Sequence, residues 1–211
     1  MHVSPDKIKS EIKVIFFDLF GVLLGVDQSV AIHHISKVTE TPYLQTREIA
    51  QGEIFMELQR GEINFSTYVE KLREAIPNGN RLDTDGLHQV WMNSKAGEMP
   101  VVSLLDGLQQ KYAIWIISNT TEAHIKNLQA QFEFLSSFNG IITSEKAGTH
   151  KPHPNIFNFA LKEANTDAFS SIFIDDSYSN VEVAKNLDIV SHHYIEFDGL
   201  VNFLEKICKF D

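Results

Sequence analysis

The sequence predicts an α/β protein: a Rossmann-like core whose parallel sheet is flanked by helices, plus a small all-helical cap domain. Three observations predict it. Compact apolar runs recur along the chain and end in polar residues. Amphipathic segments with apolar positions three and four apart lie between those runs, the alternation expected of a parallel α/β sheet. And about 90 residues separate the first run from the second, where a whole strand–helix–strand unit needs only roughly 30.

The first run, residues 13–19 (KVIFFDL), suits a strand buried on both faces. Residues 112–119 (YAIWIISN) repeat the design. Residues 140–143 (GIIT), 171–175 (SIFID) and 188–195 (DIVSHHYI) supply shorter or weaker strands. Helices are expected over 121–134, 155–164 and 180–187, where spaced apolar side chains such as Ile156, Phe159 and Ala160 share a face. The surplus after the first strand reads as five amphipathic segments, 29–37, 44–53, 55–60, 65–76 and 82–93. Asn78-Gly79-Asn80 breaks the pattern, and 97–100 (GEMP) forms the return linker. The expected division is therefore a core of 1–24 and 97–211 with a helical cap at 25–96.

Composition bounds the function. Hydrophobic residues make up 43% of the 211 and charged ones 22%, which excludes a disordered or collagen-like chain. Eighteen Lys and Arg against 28 Asp and Glu leave a net charge of −10. With no dense basic block, nucleic acid is not an expected partner. No apolar stretch approaches the roughly 20 residues that span a bilayer, so no membrane partner is expected. The polar start lacks the apolar core of a signal peptide. Cys208 is the single cysteine, which excludes an intrachain disulfide and a multi-cysteine zinc site. A cytoplasmic setting follows as the expectation, with the oligomeric state open.

Four polar clusters stand just after the strands, and ligands of open α/β sheets bind outside those carboxyl ends. Asp18 ends the first run. A carboxylate there needs a metal ion or a lysine to offset its burial, unless it caps a helix. Ser118-Asn119-Thr120-Thr121 offers hydroxyl and amide groups before a helix start, an anion site or a plain cap. Lys151 is held in a loop stiffened by Pro152 and Pro154, with Asn155 able to start the next helix. The adjacent carboxylates of Asp175 and Asp176 repel each other, and a divalent cation resolves that repulsion. Hard oxygen ligands beside a phosphate favour Mg²⁺. Ser177, Ser179 and Asn180 can cap the following helix or bond those carboxylates.

These segments, FFDLFGVL, IISNT, KPHPNIF and FIDDSYSNVEVA, occur in order over residues 16–184. They resemble the haloacid dehalogenase (HAD) superfamily, in its phosphatase-like branch with a helical cap after the first motif. LQRGEINFSTYVEKL (58–72) resembles the cap helices of that branch. The resemblance implies that Asp18 is a nucleophile forming an aspartyl-phosphate. It implies that Ser118 and Lys151 hold the phosphoryl oxygens, and that Asn119 positions substrate or loop. Mg²⁺ would be held by Asp18, Asp176 and the main-chain carbonyl of Phe20, with Asp175 acting directly or through water. A small phosphorylated substrate follows.

One position departs from the family pattern. Most HAD phosphatases carry a second Asp two residues after the nucleophile, as general acid and base; here it is Phe20. An aromatic residue also stands there in the 2-haloacid dehalogenases, which need no metal. Dehalogenation and non-catalytic phospho-ligand binding are therefore the alternatives, against which the retained Asp175-Asp176 pair argues. His33, His34 and His150 are candidate surrogate acids. The adjacent pairs His33-His34 and His192-His193 point in different directions and make no ready metal clamp. Trp91, Trp115 and Cys208 read as packing. Phe20, Gln28, Arg47, Phe55, Met56 and Arg60 are candidates to face the substrate.

Overall fold

The computed structural model describes residues 11–59, 63–92 and 96–208 of the chain. In chain order the elements are β1 (Val14–Phe17), β2 (Leu24–Val26), α1 (Ser29–Thr39), α2 (Tyr43–Ala50), α3 (Glu53–Gln59), α4 (Phe65–Ala75), α5 (Thr84–Met92) and β3 (Ala96–Glu98). There follow α6 (Leu105–Leu108), β4 (Ala113–Ser118), α7 (Glu122–Gln129), β5 (Gly140–Thr143), α8 (Ser144–Ala147) and α9 (Pro154–Glu163). The chain continues through β6 (Ser171–Asp175), α10 (Tyr178–Asn186), β7 (Val190–His193) and α11 (Phe197–Ile207).

Five strands form one sheet in the order β5-β4-β1-β6-β7, and its four pairings are all parallel. β1 is central, with Val14 facing Ala113 on one side and Ser171 on the other. All four of its residues are buried, which explains an apolar run with no polar alternation. Two clusters cover the sheet. Ile15, Phe17, Ile114, Ile116, Ile172 and Ile174 pack with Leu200 and Leu204 of α11. Val14, Phe16, Ile117, Ile142 and Phe173 pack with Ile156, Phe157 and Ala160 of α9. Gly140 has a steric reason: a Cβ there would lie 2.2 Å from the Trp115 ring, which lies across it from the paired strand.

The chain divides into two compact units, one of residues 1–25 and 98–211 and the other of residues 26–97. The second has its own core, in which Tyr68, Val69 and Leu72 of α4 pack with Ile35 of α1 and Leu87 of α5. Tyr68 donates to the Ala50 carbonyl at 2.8 Å, so its buried hydroxyl is satisfied. Asn64 caps α4 by accepting from the Thr67 amide at 2.9 Å. β2 and β3 pair as a two-stranded ribbon, which the sequence pattern did not indicate because each is three residues long.

Several element bounds differ from expectation for local reasons. The segment expected at 44–53 ends at Ala50 as α2, and the one expected at 55–60 starts earlier, at Glu53, as α3. The helix expected to 134 ends at Gln129, because Phe132, Phe134 and Phe138 turn into the core below the sheet. The helix after Lys151 begins at Pro154, with His153 as its cap accepting from the Asn155 amide at 3.2 Å. Proline is favoured at that first position, where its missing N–H is not needed. No helix among the described residues is long and apolar enough to cross a membrane.

Candidate active site

Parallel pairing of β4, β1 and β6 brings their carboxyl ends side by side, and each ends at a candidate site residue. Asp18 follows β1 directly, Ser118 closes β4, and Asp175 closes β6. All three are buried, as is Lys151, which is 1% exposed. Lys151 lies 2.7 Å from Asp18 Oδ1 and 2.7 Å from Asp175 Oδ2. A lysine this deep is held by its partners; it is not a solvated surface residue. Its ammonium also stands 5.6 Å from the centroid of the Phe173 ring.

The Lys151 loop is anchored from the next strand. Asn119 donates to the Lys151 carbonyl at 2.9 Å and accepts from the Lys151 amide at 2.7 Å. This paired amide contact fixes where the lysine leaves the backbone. Asp175 is the most engaged acid. Its Oδ1 accepts from the Ser177 amide at 2.8 Å and from Asn180 at 2.9 Å, and Asn180 reaches Oδ2 at 3.0 Å. With Lys151 on Oδ2 as well, Asp175 is the acceptor that orients the ammonium. Asp18 Oδ1 takes the Leu19 amide at 2.6 Å. The hydroxyl of Ser118 is buried with no hydrogen-bond partner.

Asp18, Asp175 and Asp176 each offer an oxygen within 4.8 Å of the others. Asp176 is the exposed member. Gly21 makes room for it: a Cβ at Gly21 would stand 2.3 Å from Asp176 Oδ2, and its φ of +86° suits glycine. The main chain of Asp176 is tied to His193, whose Nε2 stands 2.9 Å from the Asp176 carbonyl.

The charges do not balance. Three carboxylates face one ammonium. Burial, then Asp175, push the Asp18 carboxyl well above its ordinary range, against the opposing pull of Lys151. Burial and Asp175 likewise raise Asp176. For Lys151 burial acts downward, but Asp175 and Asp18 outweigh it and raise the ammonium. An oxygen-lined site short of positive charge fits a hard divalent cation.

Phe20 lies on the turn two residues beyond Asp18 and packs against the core. Its ring stacks on His124 with centroids 5.4 Å apart and planes 20° apart. His124 Nδ1 meets Thr120 Oγ1 at 2.9 Å. This pairing was not legible in the sequence, since His124 sits on α7 rather than in a motif. Of the three histidines proposed as surrogates, His150 lies in the first unit and His33 and His34 in the second. His150 is exposed with Nδ1 2.9 Å from the Lys151 carbonyl. His33, in the second unit, stacks on Tyr43 at 4.3 Å, and His34 belongs to the same helix.

The remaining candidates separate. Gln28 and Arg47 line a cavity of about 370 Å³ within the second unit, with Asp27, Ser29, Tyr43 and Gln51. Gln51 donates to Gln28 at 2.9 Å. Phe55 does not face a ligand: it is packed among Tyr68 and Trp91 in that unit's core. The side chain of Met56 and the whole of Arg60 lie outside the described residues. Cys208 is buried, and burial raises its thiol, which suits packing rather than nucleophilic chemistry.

A parallel sheet with a buried aspartate after its central strand, a lysine clamped beside it and an acidic pair one strand over defines a hydrolase of the haloacid dehalogenase type. The chain belongs to that family: it matches the haloacid dehalogenase-like hydrolases over residues 15–193. Two curated relatives carry phosphatase names. D-ribitol-5-phosphate phosphatase of Bacteroides thetaiotaomicron is 26% identical over 186 residues, covering 83% of this chain and 88% of the relative. A sesquiterpene phosphatase of Aspergillus oryzae is 30% identical over 199 residues, covering 92% and 94%. A HAD family enzyme of Bacteroides thetaiotaomicron, solved in complex with magnesium and inorganic phosphate, superposes with a TM-score of 0.60 at 25% identity. That match covers 90% of this chain and 98% of the other.

Proposed function

We propose that the chain is a Mg²⁺-dependent phosphohydrolase that acts on a small phosphorylated metabolite through an aspartyl-phosphate at Asp18. The observation that carries the reading is the buried relay Asp18–Lys151–Asp175, with an unpartnered Ser118 hydroxyl on the adjoining strand. A hydroxyl left orphaned in a buried site is suited to bond an incoming phosphoryl oxygen. The phosphatase names among the relatives and the magnesium and phosphate complex of a family member support it.

Each residue has a part. A carboxylate oxygen of Asp18 bonds phosphorus while the bond to the leaving oxygen breaks. Water later attacks the same phosphorus, phosphate departs, and the electron pair returns to Asp18. Lys151 and Ser118 hold the phosphoryl oxygens and offset charge in the transition state. Asp175 and Asn180 keep Lys151 aimed, and Asn119 holds its loop. Asp18, Asp176 and the Phe20 carbonyl are the ligands proposed for Mg²⁺, with Asp175 reaching it through water because its own oxygens are committed. Bound there, the cation supplies the positive charge that lets an anionic carboxylate approach a phosphate. Dehalogenation needs no metal and would leave Asp176 without a use, since Asp175 alone of the pair holds Lys151.

The unit of residues 26–97 is proposed as a cap that excludes water from the covalent step. Gln28 and Arg47 in its cavity are the side chains proposed to select substrate.

The test is p-nitrophenyl phosphate hydrolysis with Mg²⁺ and with EDTA. Turnover that requires Mg²⁺ and falls by at least about 10³-fold in Asp18→Asn is the expected result. Activity unchanged by EDTA, or retained in Asp18→Asn, contradicts the reading.

A further inference from the structure

The two acids at the end of β6 are held in different ways. Asp175 is fixed through its carboxylate, by Lys151, Asn180 and the Ser177 amide. Asp176 is the exposed member of the cluster. The neighbouring strand β7 grips the main chain of both. The Tyr194 amide donates to the Asp175 carbonyl at 2.9 Å, and His193 Nε2 stands 2.9 Å from the Asp176 carbonyl. A carbonyl only accepts, so Nε2 carries the proton of that bond. His193 is in register with Asp175, and its side chain reaches one residue further along the neighbouring chain. The Tyr178 ring meets the imidazole edge-on, with centroids 5.6 Å apart and planes at 74°. The imidazole thus touches both sides of the turn that carries Asp176: the carbonyl after the strand and the first residue of α10.

We infer that His193 is a positioning residue for the cation site: by holding the Asp176 carbonyl it sets the direction of the Asp176 carboxylate. The inference rests on the phosphohydrolase reading, in which Asp176 is a Mg²⁺ ligand, and adds a residue to it. A bond to that carbonyl fixes the peptide plane after Asp176, and with it the angle at which the Asp176 side chain leaves the chain. Gly21 leaves the space into which the carboxylate turns. Water can replace the imidazole at a carbonyl on an exposed residue, so the bond contributes direction more than stability. The grip of Tyr194 on Asp175 is through the backbone, and it survives a substitution at His193. The consequence is selective. Cation affinity depends on His193, while the Asp18–Lys151–Asp175 relay keeps its own partners.

The experiment measures Mg²⁺ binding to the full-length protein by isothermal titration calorimetry, without substrate. The Mg²⁺ dependence of p-nitrophenyl phosphate turnover is measured beside it. Three variants are compared. His193→Gln places an amide N–H where Nε2 stands. His193→Asn carries the same amide one methylene short. His193→Phe keeps a ring for Tyr178 and has no donor. The expected result is that the Asn and Phe variants bind Mg²⁺ about 10–100-fold more weakly, that the Gln variant recovers most of the loss, and that kcat at saturating Mg²⁺ is held in all three. Equal affinities in the Gln and Asn variants overturn the inference, and that contrast decides it even where the Phe variant does not fold. A fall in kcat at saturating Mg²⁺ with affinity unchanged overturns it as well, by making the role of His193 other than cation positioning. A wild-type protein that neither binds Mg²⁺ nor needs it for turnover overturns the phosphohydrolase reading itself, and that outcome is distinct from the others.

Discussion

Lys151 and Asp18 form a buried ion pair at 2.7 Å, and the same ammonium is held at the same distance by Asp175 on the neighbouring strand. The pair serves geometry more than stability, since burying charges costs much of what their attraction returns. Removing one partner is a different matter. Lys151→Met leaves two buried carboxylates facing each other without a cation. Urea denaturation in EDTA should show a loss of about 3–5 kcal/mol, shrinking toward acid pH as the carboxyls take up protons. A near-neutral substitution would mean that Lys151 is solvated in the folded protein.

Gly21 permits Asp176 to sit where it does. Gly21→Ala places a methyl 2.3 Å from the Asp176 carboxylate, on a backbone with φ of +86°. The strained backbone should lower stability by about 1–3 kcal/mol. The displaced carboxylate should weaken the apparent Mg²⁺ affinity by about 10–100-fold, read as the Mg²⁺ dependence of p-nitrophenyl phosphate turnover. Unchanged Mg²⁺ dependence would remove Asp176 from the ligand set.

The raised carboxyls tie stability to pH and to metal. Asp18 and Asp176 bind protons more tightly in the folded chain than in the unfolded one, burial being the first cause in each. The folded state therefore holds the extra protons above the ordinary carboxyl pKa of about 4. Stability of the metal-free protein is lost as pH rises through the raised folded values. A cation held by these oxygens replaces the protons. The Tm gain from Mg²⁺ should accordingly grow as pH rises, and Asp18→Asn should reduce that growth. Thermal melts with Mg²⁺ and with EDTA across pH check it, and a gain independent of pH would be the contrary result.

Much of the core was legible because buried parallel strands leave a strong trace. The four apolar residues of β1 have no other place to go, and an aspartate directly after them is costly enough to mark a site. The Lys151 loop was legible through its prolines. What escaped depends on partners distant in sequence. The stack of His124 on Phe20 joins a helix residue to a turn about a hundred positions away, and no local periodicity encodes it. The tie from His193 to the Asp176 carbonyl is of the same kind. Phe55 read as a ligand-facing residue because amphipathicity shows that a face is apolar, not what covers it. The burial of Asp175 under Asn180 follows from the first turn of α10, where a side chain five residues on folds back over the strand end.

His192 gives a second and opposite pH dependence. Its ring lies against Phe203 of α11, with centroids 4.6 Å apart, and its Nε2 is buried without a partner. Burial first, then His193 and Lys185, lower its pKa to about 4. The unfolded chain, with an ordinary histidine near 6.5, binds the proton more readily. Stability that is full above that value is therefore lost as pH falls from about 6.5 through about 4. The ring is partly exposed, so solvent screening reduces the effect to about 1–2 kcal/mol. His192→Phe keeps the aromatic contact and removes the titration, and should flatten the acid limb of a stability–pH curve measured by urea denaturation. An acid limb identical in the two proteins, or a ring that titrates near its ordinary value by NMR, would place His192 in water rather than against Phe203.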